Sequence, residues 1–187
     1  MTALAFSLYN FISVQRQPDT DVTLPHIVRI SQGADVWFYL QPTLSTRVES
    51  TQAEVIPRVD LRMYPSNLGS RKPTFFWDES GAFTYDPTQK TLNYDWKADP
   101  SPLLVSRDKP QQPLMLFTAT SWNFSAGNYE GRLTLHREGS NKPLTADFCL
   151  TLSTSAINSL RSHGQNSWIG FRDDVPEARA KGCYILT

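Results

Sequence analysis

Hydrophobic and polar residues alternate along the middle of the chain in short runs, and no stretch keeps apolar residues at a 3.6-residue spacing for several turns. Such runs predict strands. The alternation is cleanest from Glu54 to Tyr64, where Val59, Leu61 and Met63 point one way and Arg58, Asp60 and Arg62 the other, as in a strand with one face in water. Ala34 to Leu40 is predicted as a strand covered on both faces, since Val36, Phe38 and Leu40 alternate with Trp37 and Tyr39. Val22 to Ile30 reads as a strand that Pro25 breaks or confines to an edge, because proline offers no ladder donor. Further on, Thr74 to Trp77 and Thr91 to Trp96 are candidate strands around a turn at Glu79-Ser80-Gly81, and Leu114 to Thr120 is another strand.

Tyr129 to Arg137 and Leu144 to Leu152 form the strongest pair, joined as a hairpin by the turn residues Gly139-Ser140-Asn141. Just before it, Ser125-Ala126-Gly127-Asn128-Tyr129 sets a glycine and a tyrosine at a corner. Immunoglobulin-like sandwiches place a tyrosine in a similar position, its ring closing the core and its hydroxyl bonded to backbone. The expected fold is all-β, an antiparallel immunoglobulin-like β-sandwich with a short helical C-terminal appendage. Val36, Phe38, Leu61, Met63, Phe117, Leu133, Leu135, Phe148 and Leu150 are its expected core. Three parts follow: an N-terminal arm (1–25), the sandwich (26–152) and a C-terminal extension (153–187). The extension should hold a helix from Thr154 to Arg161, a second helix capped by Asp174 and stopped at Gly182, and a terminal strand at Tyr184-Ile185-Leu186 that joins its own sheet or a neighbour's. Removing residues 174–187 should then leave the sandwich folded.

Composition narrows the class. With 187 residues, 40% of them hydrophobic and 19% charged, the chain suits one domain with a real core and is not disordered throughout. Its 18 basic residues balance 18 acidic ones, so nothing general draws it to nucleic acid or to an anionic membrane. No apolar run reaches the ~18 residues a spanning helix needs. The run from Met1 to Tyr9 lacks a preceding cation and makes a poor signal peptide, so synthesis in a cytoplasm is the expectation. Two cysteines exclude a disulfide-dense scaffold and a cysteine-rich zinc site. Cys149 and Cys183 are expected to be reduced and buried if assembly occurs in a cytoplasm; the alternative is one bridge tying the extension to the last sandwich strand.

The motifs of phosphate-binding loops, dinucleotide turns, zinc-protease helices and serine-hydrolase elbows are all missing. His26, His136 and His163 lie far apart without ligand spacing, and the acidic groups Asp19-Thr20-Asp21 and Asp173-Asp174 with Glu177 read as turn and cap residues. Glu79, Asp86, Asp95 and Asp99 supply carboxylates, but sequence gives no separation that would make a hydrolytic pair. No catalytic, cofactor-binding or metal-binding residue is therefore expected. Between Phe75 and Trp96 the chain is dense in aromatic rings, which suit a sandwich core, a subunit interface or, through Trp77, Tyr94 and Trp96 in one row, a surface for stacking sugars.

The strings Ile30-Ser31-Gln32-Gly33-Ala34-Asp35, Val59-Asp60-Leu61-Arg62-Met63-Tyr64 and Ser125-Ala126-Gly127-Asn128-Tyr129-Glu130-Gly131-Arg132-Leu133, with the Gly139 turn and a final strand, resemble the immunoglobulin-like N-terminal domain of phage baseplate upper proteins and related tail components. The resemblance covers roughly residues 26–155; the Pro65 to Pro113 segment departs from it. It implies a non-enzymatic structural subunit of a virion, placed in tail, baseplate, neck or capsid decoration. Its partners would be other virion proteins or copies of itself, as an oligomer within an assembly. The contacts are expected from Phe6, Leu8, Tyr9, Phe11 and Ile12 at one end and Tyr184, Ile185 and Leu186 at the other. The alternative is a carbohydrate-binding or adhesin-like module, at the cell surface or secreted.

Overall fold

The computed structural model describes residues 19–47, 52–66, 72–106, 109–165 and 167–186. Among them the chain order is β1 (Thr20–Thr23), β2 (Ile27–Gln32), β3 (Val36–Leu40), β4 (Thr43–Thr46), β5 (Glu54–Ile56), β6 (Arg58–Pro65), β7 (Phe76–Asp86), β8 (Thr91–Ala98), β9 (Leu103–Val105), β10 (Leu114–Ala119), β11 (Gly127–His136), β12 (Leu144–Leu152), α1 (Thr154–His163), β13 (Ile169–Arg172), α2 (Pro176–Lys181) and β14 (Ile185–Leu186). A seven-stranded sheet in the order β14-β13-β2-β3-β10-β7-β8 packs on a three-stranded sheet, β12-β11-β6, with the short pairs β1-β4 and β5-β9 beside them. All these strand pairs are antiparallel. The fold is an all-β sandwich, as the alternation predicts.

Proline punctuates the strands. Pro25 separates β1 from β2, and Pro57 divides the expected Glu54 to Tyr64 strand into β5, which pairs with β9, and β6, which pairs with β11. Val28, Ile30, Val36, Phe38, Leu40, Met115 and Phe117 from the large sheet meet Val59, Leu61, Met63, Leu133, Leu135, Leu150 and Leu152 from the small one in a single buried cluster. Each such side chain contributes roughly 1.5–3 kcal/mol by leaving water. Of the expected core, Phe148 alone is only half-buried; it stacks on Phe38 with ring centroids 5.9 Å apart. The corner behaves as expected: Tyr129 is buried, its hydroxyl donates to Ser125 O at 3.0 Å and accepts from Ser125 N at 3.1 Å. Gly127 has φ +152°, a conformation side chains rarely adopt.

Glycine matters again at Gly131, which faces Phe148 across the β11-β12 ladder and is roofed by its ring. A Cβ there would lie 2.2 Å from Phe148 Cζ, and the ring cannot swing freely because Phe38 and Tyr184 hold it. Gly131→Ala is expected to cost about 1–3 kcal/mol by overpacking. Urea midpoints would measure this, and an unchanged midpoint would show that the roof yields.

Two expectations about local structure are corrected. Glu79-Ser80-Gly81 is no turn but the interior of β7; the reversal comes after Asp86, whose Oδ1 accepts from Thr88 N at 2.8 Å and Gln89 N at 3.1 Å. Asp174 does not cap α2: Val175 stands at that position without a side-chain bond, because the Asp174 carboxylate is engaged by Arg172 at 2.7 Å.

The largest correction concerns the chain's ends. β1 lies inside the expected N-terminal arm yet pairs with β4, and residues 153–186 are part of the sandwich. β13 completes the large sheet beside β2, with Phe171 fully buried, and α1 covers the core with Ala156, Ile157 and Leu160 behind a Ser153 cap that accepts from Ala156 N at 3.1 Å. Tyr184 lies against the β12 edge, where its N–H donates to Cys149 O at 2.8 Å and its carbonyl accepts from Thr151 N at 2.9 Å. Its hydroxyl donates to Pro25 O. Cys149 and Cys183 are joined in a disulfide, with 4.4 Å between their Cα atoms, so the expected reduced pair is replaced by the bridged alternative.

Candidate functional site

The outward face of the seven-stranded sheet departs most from what an ordinary sandwich shows. An antiparallel sheet usually turns polar residues to water on that side. Here alternation in β3 sends Trp37 and Tyr39 outward while Val36, Phe38 and Leu40 fill the core, and β10 adds Leu114 and Leu116. Phe83 of β7, Tyr94 of β8 and Trp168 from the α1 to β13 connection close a second apolar cluster over them. Tyr39 meets Phe83 at 5.5 Å, Tyr94 at 5.2 Å and Trp168 at 6.0 Å between centroids, mostly edge to face, the arrangement aromatic quadrupoles favour. The Arg29 guanidinium sits 4.5 Å over the Phe83 ring. Burial holds its pKa below the ordinary arginine value.

Polar anchors fix this arrangement. Tyr94 lies over Gly81, the one strand residue there without a side chain to obstruct it, and its hydroxyl donates to Glu79 Oε2 at 3.1 Å. Burial first, and the Glu79 carboxylate second, push the hydroxyl pKa of both Tyr39 and Tyr94 well above the usual tyrosine value, so both stay protonated donors. Ser31 Oγ donates to Gln165 O at 2.5 Å, holding the connection that brings Trp168 across the sheet. A groove of about 580 Å³ runs between Trp37 and Tyr39, the Thr91 to Tyr94 end of β8, and Gln165, Ser167 and Trp168. The buried Gln165 Nε2 has no hydrogen-bond partner, although Gln165 Oε1 accepts from Asp35 N at 3.3 Å.

The expected row of Trp77, Tyr94 and Trp96 is not a row. Tyr94 and Trp96 share the outward face, with Trp96 58% exposed, but Trp77 packs on the sandwich core and donates to Glu79 O at 2.9 Å. A bulge causes this: Phe117 pairs with Trp77 and the next residue back, Leu116, with Glu79, so residues two apart in β7 face opposite sides. The residues that build the groove and were not singled out by sequence are Trp37, Tyr39 and Trp168. The alternation in β3 carries the signal for the first two; Trp168 has none, because only tertiary contacts bring it there.

Phe6, Leu8, Tyr9, Phe11 and Ile12 lie outside the described residues. Tyr184 and Ile185 are buried and Leu186 packs on the core, so the C-terminal contact residues serve their own sheet and are not free for a neighbour. Among the described residues β6, β8 and β14 each pair on one side only; the one that carries an exposed tryptophan is β8. It ends the large sheet, runs eight residues, and pairs on its outer side with no strand among the described residues. Trp96 and, across the β7-β8 hairpin, Tyr85 are both 58% exposed. By contrast β12 is crossed by Tyr184, and β6 turns Arg58 and Arg62 to solvent.

The three imidazoles and several of the acidic side chains have hydrogen-bond partners. Asp95 accepts from Thr84 Oγ1 at 2.5 Å, Asp86 closes the hairpin turn, and buried Glu54 is bound by Arg137 Nε at 2.7 Å and by Thr20 Oγ1 at 2.8 Å. His136 contacts Asp60 at 2.7 Å, His26 contacts Asp173 at 2.9 Å, and His163 bonds Ser159 O on its own helix. Each acid so engaged is a strut of the fold.

Fold and surfaces together define an antiparallel β-sandwich with an aromatic outer face and an open β8 edge. The sequence matches no protein-family model and no curated protein. Among solved structures, a family 123 glycoside hydrolase from Clostridium perfringens, whose structural analysis concerned glycolipid glycan hydrolysis, is similar at a TM-score of 0.38 and 10% identity over 74% of this chain. The match spans 27% of that enzyme, and no residue role is taken from it.

Proposed function

We propose that this chain is a non-enzymatic structural subunit that works through protein–protein assembly, in the setting of a phage virion that its sequence resemblance implies. The observation that supports this reading is the open β8 edge. This eight-residue strand has no partner on its outer side among the described residues, and with its own exposed Trp96 and the neighbouring Tyr85 it forms a template to which a strand of a second chain adds, main-chain bonds giving affinity and the rings giving area. Natural edges that must stay single are blunted by charge, proline or a cover. Here the charges on β8 are a single pair, Asp95 and Lys97, and prolines stand only outside it, at Pro87, Pro100 and Pro102.

Trp96→Lys places a second cation on that edge without touching the core. The variant is expected to keep its melting temperature within a few degrees and to lose association at least about tenfold in sedimentation or light scattering. In particles purified from the native host, mass spectrometry should find the wild-type chain at stoichiometric amounts. A wild-type chain that stays monomeric at high concentration and is missing from particles would defeat the proposal.

A further inference from the structure

We infer that the groove on the outward face of the large sheet is a binding site for a neutral oligosaccharide. The groove shares the Thr91 to Tyr94 end of β8 with the open edge, but its floor is Trp37 of β3, over the buried Tyr39, and its wall is Trp168, whereas the edge contact centres on Trp96.

The lining selects the ligand class. None of the residues lining the groove carries a charge, so an anionic or cationic ligand would be desolvated there without a counter-ion. The aromatic walls ask for flat apolar surface, yet Asn93, Gln165 and Ser167 stand among them with donors and acceptors. A purely apolar ligand such as an acyl chain would strip water from those groups and return no hydrogen bonds. A pyranose offers both halves: a face of C–H groups that lies on an aromatic ring, and a belt of hydroxyls at its rim. The unpartnered Gln165 Nε2 is a donor at the groove wall for which the protein supplies no acceptor.

Size and stiffness agree. A volume of about 580 Å³ falls in the range of roughly 300–1,000 Å³ found for small-ligand sites. Tyr39 is only 3% exposed and is clamped by three other rings, while Trp168 packs on Phe83 at 5.0 Å. Rings already fixed by their neighbours lose little freedom on binding, which favours recognition of a sugar without any rearrangement of the sheet.

The full chain would be titrated with neutral cello-, xylo-, manno- and N-acetylchito-oligosaccharides, and with oligogalacturonate as the charged comparison. Tryptophan fluorescence and calorimetry would be the readouts. At least one neutral series should bind saturably with a shift in tryptophan emission. Trp37→Ala and Trp168→Ala should each weaken it by about tenfold or more, Gln165→Ala by several-fold, and Trp96→Lys not at all. Thermal melts guard against misfolding, and the half-buried, non-aromatic substitution Gln165→Ala keeps the test open if an aromatic variant fails to fold. Absence of neutral-sugar binding by the folded wild-type chain overturns the inference. So does binding only of the charged series, or binding that survives the groove substitutions.

Discussion

Phe38→Ala is expected to lower the unfolding free energy by about 3–5 kcal/mol, a large part of the 5–15 kcal/mol that holds most domains. Phe38 sits on β3, between β2 and β10, and no part of it reaches solvent. Its ring stacks on Phe148 of the opposite sheet at 5.9 Å and meets Phe75 edge to face at 6.2 Å, so truncation opens a cavity where the two sheets join. The neighbours are pinned by ladder bonds on both sides and can collapse only in part. Phe148→Ala, at a half-buried site, should cost less, nearer 2 kcal/mol. Urea denaturation with an unchanged m-value measures both. A loss below about 1 kcal/mol at Phe38 would mean that the sheets do not pack face to face in this register.

Reducing the Cys149–Cys183 bridge should cost about as much. The crosslink closes a loop with a sequence separation of 34, for which chain entropy in the unfolded state gives roughly 4 kcal/mol. At about 2–4 °C per kcal/mol for a chain of this size, the melting temperature should fall by roughly 8–16 °C in reductant or in the Cys149→Ser, Cys183→Ser double variant. Removal of residues 174–187, expected from sequence to be harmless, takes away the bridge, the buried Tyr184 and the partner strand of β13 together, and is now expected to unfold the chain or leave it near the threshold of folding. A melting temperature that ignores reductant would show that the bridge constrains nothing.

The sheet-forming character of the chain was legible because side chains in a strand alternate strictly, and β3, β6, β11 and β12 keep that alternation unbroken. Tyr129 and its corner were legible for the same reason, the contact being local, between residues four apart. What failed is where the alternation is interrupted or the contact is distant. The β7 bulge shifts the phase by one residue, so reading Trp77 with Tyr94 and Trp96 on one face was certain to mislead. Gly81 looked like a turn, since a strand glycine declares itself only through the ring that covers it, here Tyr94 from thirteen residues further along the hairpin. The aromatic groove was half visible: the Trp37 and Tyr39 alternation announces a covered outer face, but what covers it arrives from residue 168, beyond any local pattern.

The pairing of β2 with β13 has a consequence for how the protein is made. Ile30 finds its ladder partner in Ile169, synthesised about 140 residues later, so on the ribosome the β2 side of the large sheet stays open through most of translation. During that interval β2 is itself an unpaired edge, with the fully buried Val28 and Ile30 alternating along it. A nascent chain in this state is a client for holding chaperones, and polysomes packed with it bring many such edges within reach of one another. Yield of the native protein should therefore respond to translation rate and chaperone supply more than to the stability of the finished fold.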